Sequence, residues 1–318
     1  MNVNNNKPQL WKQDVFLSVD FYNNWFLNFA PQAYRDARNV AIDNVDEMLL
    51  ATQNLYAITP EILKCNPKIL SILRMATAPP IARDRLTGLA NVSSTLVQGL
   101  ESGKLPSRIS ENVFNMHLIR IIEMLKRLLD VDIFPWLEKK STPKVTERRR
   151  AASIVADRVC GAVADPIIRN EQERRQLAMI SHYLRSLGYK HLPGKTFSDF
   201  REIPPGSFTF HFNVKVDVGM GKKVNIPVDV IINRKNNDCN ALPLLIECKS
   251  AGDFTNTNKR RKEEAVKMAQ LRTTYGQDVE FILFLCGYFD SGYLGYEAAE
   301  GIDWVWEHRA EDLLEFGI

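Results

Sequence analysis

Apolar side chains recur at helical spacing along the first part of the chain. Ser110, a residue type that caps helix N-termini, precedes the clearest run. The apolar positions that follow share one face of a helix: Val113, Phe114, Leu118, Ile121, Ile122, Leu125, Leu128 and Leu129. Residues 10 to about 135 are therefore predicted to be mostly helical, with further helices at 43–56 and 61–75.

The second half of the chain has a different pattern. Residues 171–187 are spaced as an amphipathic helix, and Gly188 is its predicted end. Apolar and polar residues then alternate without a break over 208–218, which is the period of a half-buried strand. A glycine-containing turn at 219–221 leads into a second predicted strand, 224–232.

The remaining apolar runs complete the predicted architecture. They indicate a third strand at 242–249, a helix at 257–275, a fully apolar and therefore central strand at 279–286, and a helical tail at 302–316. This order predicts an α/β (α+β) fold, in which a mixed central sheet is flanked by helices and a helical domain precedes it.

The charged and apolar-poor stretch 138–150 separates the helical pattern of the first half from the strand-containing pattern of the second. Such a composition is typical of a linker or a surface crossing. We therefore expect two domains, a mostly helical one at 1–145 and a sheet-containing one at 146–318.

Three charged residues interrupt the apolar strands. Asp229 lies in the second strand, and Glu247 and Lys249 lie in the third. Charged side chains are almost never fully buried unless they are paired or bind a metal. Strand side chains alternate faces, so Glu247 and Lys249 share one face and can converge with Asp229 if the strands are neighbours. Pro227 indicates that the second strand is at an edge or a bulge there.

These residue types match one kind of chemistry. Asp229, Glu247 and the backbone carbonyl of Cys248 offer three of the oxygen ligands that Mg²⁺ prefers, and Mn²⁺ can substitute. Such an ion can polarise a phosphoryl group and activate water. Lys249 can orient that water and offset charge on phosphorus, and its partial burial favours loss of its proton. The pattern predicts hydrolysis of phosphodiester bonds.

A buried ion pair is the alternative interpretation. It would join Lys249 to Glu247 or to Asp229, although such pairs seldom stabilise a fold by themselves. A second Glu-x-Lys triplet, Glu138 to Lys140, stands in a charged segment and is interpreted as a chance match.

The composition excludes several protein classes. The chain of 318 residues is 45% hydrophobic and 25% charged, with no apolar run long enough for a membrane span and no apolar signal segment at the N-terminus. Its 5 cysteines form no C-x-x-C pair, which argues against a disulfide framework or a zinc site. The glycines at 219–221 are too closely spaced for an ATP-binding loop. We expect a soluble cytoplasmic protein.

The motif Pro227-Val-Asp229 with Glu247-Cys-Lys249 resembles that of the PD-(D/E)xK nuclease superfamily, with Val228 as an extra residue between Pro and Asp. More narrowly, the chain resembles type II restriction endonucleases of the XamI family. The resembling segments are 80–90, 164–176, 245–250, 259–264 and 285–309.

The resemblance implies a bacterial or archaeal homodimer that uses Mg²⁺ to cut both strands of a short palindromic DNA site. It also implies 5′-phosphate and 3′-hydroxyl ends, a cognate methyltransferase, DNA recognition or dimerisation by the helical domain, and a supporting acid from the helix before the sheet. Glu171 and Glu173 are the candidates for that acid, and Glu173 is preferred. Both are expected in the first turn of the helix, where acids also favour the helix dipole.

Several basic residues are candidates for DNA contacts. They are Arg83, Arg85, Lys259, Arg260, Arg261 and Lys262. Four consecutive residues surround a helix, so only some of 259–262 can face a phosphate path. Arg83 and Arg85 flank Asp84, and an internal ion pair is the alternative there.

Two further functions remain open from the sequence. One is a structure-selective repair or recombination nuclease of the same fold, and the other is a DNA-binding regulator with an idle nuclease fold. The intact set of Asp229, Glu247 and Lys249 argues against the idle form.

Overall fold

A computed structural model of the chain describes residues 3–219, 222–237, 241–255 and 257–318, and at 162–163 and 257–261 it describes the backbone alone. By its internal contacts the chain divides into two units. The sheet unit combines the residues up to Phe29 with Arg169–Ile318, and the helical unit is Ala30–Ile168. The expected division at residue 145 differs from this one, because the N-terminal residues join the C-terminal part of the chain.

Ten α-helices lie in the part of the chain that the structure describes. They are α1 (Pro8–Ala51), α2 (Pro60–Cys65), α3 (Ile69–Met75), α4 (Arg83–Ala90), α5 (Ser94–Glu101), α6 (Glu111–Leu128), α7 (Trp136–Lys139), α8 (Val145–Ser186), α9 (Thr257–Tyr275) and α10 (Ser291–Ala299). Within those described ranges, no helix is both long and apolar enough to cross a membrane.

The helical unit has a core of its own. The apolar positions predicted for α6 largely form its inner face: Phe114, Leu118, Ile121, Ile122 and Leu125 are buried. Val113 is instead exposed, because it lies off that face. The spacing of apolar residues therefore identified the helix and most of its buried side.

The sheet unit contains a six-stranded sheet whose spatial order follows the chain. The strands are β1 (Lys190–His191), β2 (Ser207–Asp217), β3 (Lys223–Asn233), β4 (Leu244–Ala251), β5 (Phe281–Gly287) and β6 (Asp303–Trp306). β3 pairs antiparallel with both β2 and β4, whereas the pairs β1–β2, β4–β5 and β5–β6 are parallel. The expected mixed sheet is confirmed, and residues 220–221 of the expected turn lie outside the described residues.

Both faces of the sheet are covered. On one face Met268 and Leu271 of α9 join a core with side chains of β2 to β6. On the other, Leu177, Ile180 and Leu184 of α8 join a second core. Two-sided burial explains why β5 is apolar throughout, as the sequence indicated.

Two sequence-based expectations about element bounds are wrong. Residues 303–306 are strand β6 rather than the start of a helical tail, and a 3-10 helix follows at Glu307–Phe316. Trp304 and Trp306 alternate with Val305 at the period of a strand, and both tryptophans are buried. The expected linker is also partly helical, because α8 begins at Val145.

Polar contacts attach the N-terminal residues to the end of the sheet unit. The backbone N–H groups of Val3, Asn4 and Asn5 donate to the Asp303 carboxylate at 2.5, 3.0 and 3.0 Å. The Arg309 guanidinium donates to Asp14, Asp312 and Asn4 at 2.7, 2.7 and 2.9 Å. We call this set the anchor cluster: Asn4, Asp14, Asp303, Arg309 and Asp312.

Candidate active site

The ladder between β3 and β4 ends where the predicted carboxylates stand. Its last pair toward the site is Val230 with Ile246. Beyond it, the Asp229 Oδ2 atom accepts a hydrogen bond of 2.8 Å from the backbone N–H of Cys248. A side chain thus takes a position that a strand carbonyl would occupy in a continued ladder. Asp229 and Glu247 therefore face an opening between two neighbouring strands.

Pro227 fits this opening, but β3 is not an edge strand. β3 lies between β2 and β4, and Pro227 pairs with Asn213 of β2. On the β4 side no ladder pair is formed at Pro227 among the described residues. The predicted edge is thus confined to the position of Pro227 and to the β4 side of the strand, since proline cannot donate a backbone hydrogen bond.

Glu247 and Lys249 lie on one face of β4, as strand alternation predicted. The Lys249 Nζ atom lies 2.9 Å from Oε1 of Glu247. Glu247 is only 6% exposed, and its Oε2 atom is buried without a hydrogen-bond partner among the described residues. The ion pair of the alternative interpretation is therefore present, yet it occupies one carboxylate oxygen and leaves the other available.

Helix α9 adds two charged residues that the sequence reasoning missed. The Lys267 Nζ atom lies 2.7 Å from Glu247 Oε1 and 3.1 Å from the Pro227 carbonyl oxygen. Glu264 places its Oε1 atom 3.3 Å from Lys249 Nζ. A signal existed for Glu264, because it stands at helical spacing with the buried Met268 and Leu271.

The electrostatics of the cluster follow from burial and like charges. Burial, and then the nearby Glu247 carboxylate, raise the pKa of Asp229. Burial lowers the pKa of Lys249, but the Glu247 and Glu264 carboxylates outweigh it, so that the pKa is raised overall. In the metal-free protein this favours the ammonium form of Lys249.

Glu173 of α8 and His211 of β2 lie near Asp229. The ligand atoms of these three residues are all within 4.8 Å of one another. His211 stands opposite Asp229, between the pairs Phe210–Val230 and Phe212–Val228, and has a left-handed φ of 53°. The pairing of β2 with β3 brings His211 to this position.

The structure distinguishes the two candidate acids on α8. Glu173 lines the same cavity as Asp229 and Glu247. Glu171 instead accepts a 2.7 Å hydrogen bond from Arg174 on its own helix. Both lie far inside α8, which begins at Val145, so the expected first-turn position and its dipole argument are wrong.

The cavity at this site has a volume of about 320 Å³. Its lining comes from α8, β3, β4 and α9: Arg169, Gln172, Glu173, Gln176, Asp229, Glu247, Cys248, Lys249, Ser250 and Glu263. Gln176 holds α8 against the sheet, since its Nε2 atom donates to the carbonyls of Phe284 and Lys249 at 3.3 and 3.4 Å. The acids are thus fixed on regular elements rather than on loops.

The donor set fits a hard divalent cation. Asp229 and Glu247 offer carboxylate oxygens, and the backbone of Cys248 offers a carbonyl. The buried Oε2 atom of Glu247, which has no hydrogen-bond partner among the described residues, agrees with this fit, because a cation would satisfy it. Oxygen ligands of this kind suit Mg²⁺.

The basic candidates are only partly brought to the site. Lys262 is exposed on α9, but the side chains of residues 259–261 lie outside the described residues. Arg83 and Arg85 are exposed and belong to the helical unit. Arg83 donates to Glu101 Oε2 at 2.8 Å, so an internal ion pair is present with a different acid from the expected Asp84.

Comparison with known proteins identifies the family. The chain matches the model of the XamI restriction endonuclease family over residues 53–306. It is 52% identical over 311 residues to the type II restriction enzyme SalI of Streptomyces albus G, with 98% of each chain covered. The chain belongs to the XamI restriction endonuclease family. The matched segment of this family includes Asp229, Glu247 and Lys249.

Two further similarities are weaker. The type II restriction enzyme XamI of Xanthomonas campestris pv. amaranthicola is 28% identical over 200 residues, which are 62% of this chain and 64% of that enzyme. The crystal structure of protein VC1899 from Vibrio cholerae is 14% identical and matches with a TM-score of 0.28, over 80% of this chain and 55% of that chain. The latter likeness is too low to bear on the fold.

Proposed function

We propose that the protein is a type II restriction endonuclease that hydrolyses phosphodiester bonds of double-stranded DNA at a short palindromic site. The products are 5′-phosphate and 3′-hydroxyl ends. The observation that carries this proposal is the 52% identity to a type II restriction enzyme over 98% of both chains. The arrangement of Asp229, Glu247 and Lys249 supports it, because it supplies the chemistry that such an enzyme needs.

We assign the metal ligands to Asp229, Glu247 and the Cys248 carbonyl. A bound Mg²⁺, or Mn²⁺ in its place, would polarise the phosphoryl group and lower the pKa of the attacking water. Glu247 offers Oε2 for this purpose, because its Oε1 is already held by Lys249 and Lys267. Glu173 is proposed as a supporting acid on the α8 side of Asp229, with His211 beside it.

Lys249 acts as a positively charged donor rather than as a base. The Glu247 and Glu264 carboxylates, whose oxygens lie 2.9 and 3.3 Å from its Nζ atom, favour the ammonium form. An ammonium at this position can donate a hydrogen bond to the attacking water and offset the charge that develops on the phosphoryl oxygens.

Other expectations about the enzyme remain part of this proposal. They are a homodimer, a cognate DNA methyltransferase that protects host DNA, and a cytoplasmic place of action. Arg83, Arg85 and residues 259–262 are proposed to contact DNA, and the residues before 146 are proposed to serve recognition or dimerisation. Phosphate contacts of this kind make binding depend on salt.

Incubation with plasmid and phage DNA in Mg²⁺ tests the proposed function. Discrete fragments that vanish with EDTA are expected, and sequencing of their ends gives the site and the cut position. Asp229→Ala protein, which keeps the remaining fold, is the matched control. Smears or junction-specific products would instead indicate a repair nuclease, and binding without cleavage in Mg²⁺ or Mn²⁺ would indicate a regulator.

A further inference from the structure

Two charged side chains of α9 lie at the site without a role in the chemistry above. Glu264 is 1% exposed, and Lys267 is largely buried as well. The two residues are three positions apart, so they lie on the same face of the helix. That face is the one from which Met268 and Leu271 pack on the sheet.

These side chains extend the Glu247–Lys249 pair into a row of alternating charges. The order is Glu264, Lys249, Glu247 and Lys267, with successive nitrogen–oxygen distances of 3.3, 2.9 and 2.7 Å. Buried ionic networks seldom stabilise a protein more than apolar residues of similar volume would. Apolar side chains at 264 and 267 would simply continue the apolar face of α9, so stability alone does not account for this row.

Lys267 also spans the opening in the sheet. Its ammonium contacts the Pro227 carbonyl of β3 and the Glu247 carboxylate of β4, beyond the last ladder pair of the two strands. It therefore links the two strands that carry the acids where their backbones no longer do. Both ammonium groups near Glu247 bind Oε1, which leaves Oε2 without a donor among the described residues.

We propose that Glu264 and Lys267 are positioning residues for the Glu247–Lys249 pair. Glu264 holds the Lys249 ammonium together with Glu247. Lys267 holds the Glu247 carboxylate by Oε1 and thereby fixes the orientation of Oε2. This inference rests on the proposed function, since it assigns roles within the same site.

Neutral variants of similar size separate positioning from packing. Glu264→Gln and Lys267→Met are each expected to lower kcat for DNA cleavage by about tenfold or more, with KM for DNA within about twofold, because misplacement of reacting groups costs rate rather than binding. Lys267→Arg should restore part of the lost rate, since it keeps the positive charge. Arg272→Met is the matched control on the same helix, where Arg272 donates to the Glu300 carbonyl at 2.9 Å.

Cation binding without DNA gives a second readout that general loosening would not produce. Removal of the Lys267 charge makes the site more negative, whereas removal of the Glu264 charge makes it less negative. Calorimetric titration with Mn²⁺ should therefore show tighter binding for Lys267→Met and weaker binding for Glu264→Gln, each by about threefold. Arg272→Met should change Mn²⁺ affinity little, although it lowers thermal stability.

Three outcomes would overturn the inference. They are kcat values within twofold of wild type for both variants, Mn²⁺ affinities that shift in the same direction, or losses of rate that Arg272→Met reproduces. Failure of the proposed function is a separate result, because the wild-type protein would then cut no DNA at all. Circular dichroism of each variant establishes that it is folded before rates are compared.

Discussion

Two clusters of buried charged residues in the sheet unit contain similar residue types. They differ in whether their buried carboxylate oxygens have hydrogen-bond donors. In the anchor cluster, the Arg309 guanidinium and three backbone N–H groups supply donors to Asp14, Asp303 and Asp312. None of its buried side-chain oxygens lacks a partner among the described residues. At the active site, Glu247 keeps a buried oxygen with no donor. Hydrogen-bonded charges of the anchor cluster hold the fold together, whereas the unpartnered oxygen of Glu247 supports its proposed role as a metal ligand.

The largest expected difference between the clusters is in activity. Asp229→Ala, Glu247→Ala and Lys249→Ala should each lower the cleavage rate by about 1,000-fold or more, because each removes a proposed metal ligand or the positive charge proposed to lie beside the scissile phosphate. DNA binding, measured by fluorescence anisotropy in Ca²⁺, should persist. Loss of binding in all three variants would show that these residues support the fold rather than the chemistry.

A substitution in the anchor cluster should lower stability and leave the cleavage rate unchanged. Arg309→Met leaves Asp14 and Asp312 buried without their main donor, so we expect the free energy of unfolding to fall by about 2 to 3 kcal/mol. Chemical denaturation measures this loss. The kcat of the variant at a temperature where it is folded should match wild type, and a large drop in kcat would mean that the two clusters are coupled.

The α8 side of the site should matter less than the strand residues. Glu173→Gln and His211→Gln are expected to lower kcat by about tenfold and about threefold, because both side chains are at least half exposed and lie beside Asp229 and each other. Steady-state cleavage at several Mg²⁺ concentrations measures both effects. Glu171→Gln is the control on the same helix, and an equal loss there would remove the distinction between the two acids.

The smallest expected effect is a change in the free energy of unfolding when Asp229 is replaced. Burial and Glu247 raise the pKa of Asp229 above its usual 3.8, so its charged form destabilises the metal-free fold. Asp229→Asn can still accept the hydrogen bond from Cys248 and should raise the free energy of unfolding by about 0.5 to 1 kcal/mol at pH 7.

The pH dependence of the stability difference between wild type and Asp229→Asn tests the direction of the Asp229 pKa shift. Because the folded protein binds the Asp229 proton more readily than the unfolded chain does, wild type recovers stability as pH falls through the raised pKa toward 3.8. The gap between wild type and Asp229→Asn should therefore narrow as pH is lowered in denaturation curves without metal. A gap that widens on acidification would contradict the raised pKa.

The sequence predicted the strand residues of the site because they break a local rule. Asp229, Glu247 and Lys249 are charges inside apolar runs, and strand parity placed two of them on one face. Glu264 breaks the apolar face of α9 in the same way and was open to the same reasoning. The end of the β3–β4 ladder at Val230 could not be predicted in this way, because the point where two strands stop pairing depends on contacts between distant segments.

Residues brought to the site only by tertiary contacts had no comparable signal. Lys267 looks like an ordinary helix lysine, and His211 fits the polar side of an alternating strand. The N-terminal segment likewise carries no mark of its attachment to Asp303, which lies 300 residues away. Local spacing therefore predicted elements and their charged exceptions, but not which distant elements meet.

The attachment of Val3 to Asp303 sets an order of events during synthesis. At the usual speed of translation, roughly 15 to 60 s separate the emergence of two residues 300 positions apart. For that interval the first helix has no Asp303 or Arg309 to bind, although Asp229, Glu247 and Lys249 are already made. A chain truncated before residue 303 would thus contain Asp229, Glu247 and Lys249 but lack the residue that binds its N-terminal segment.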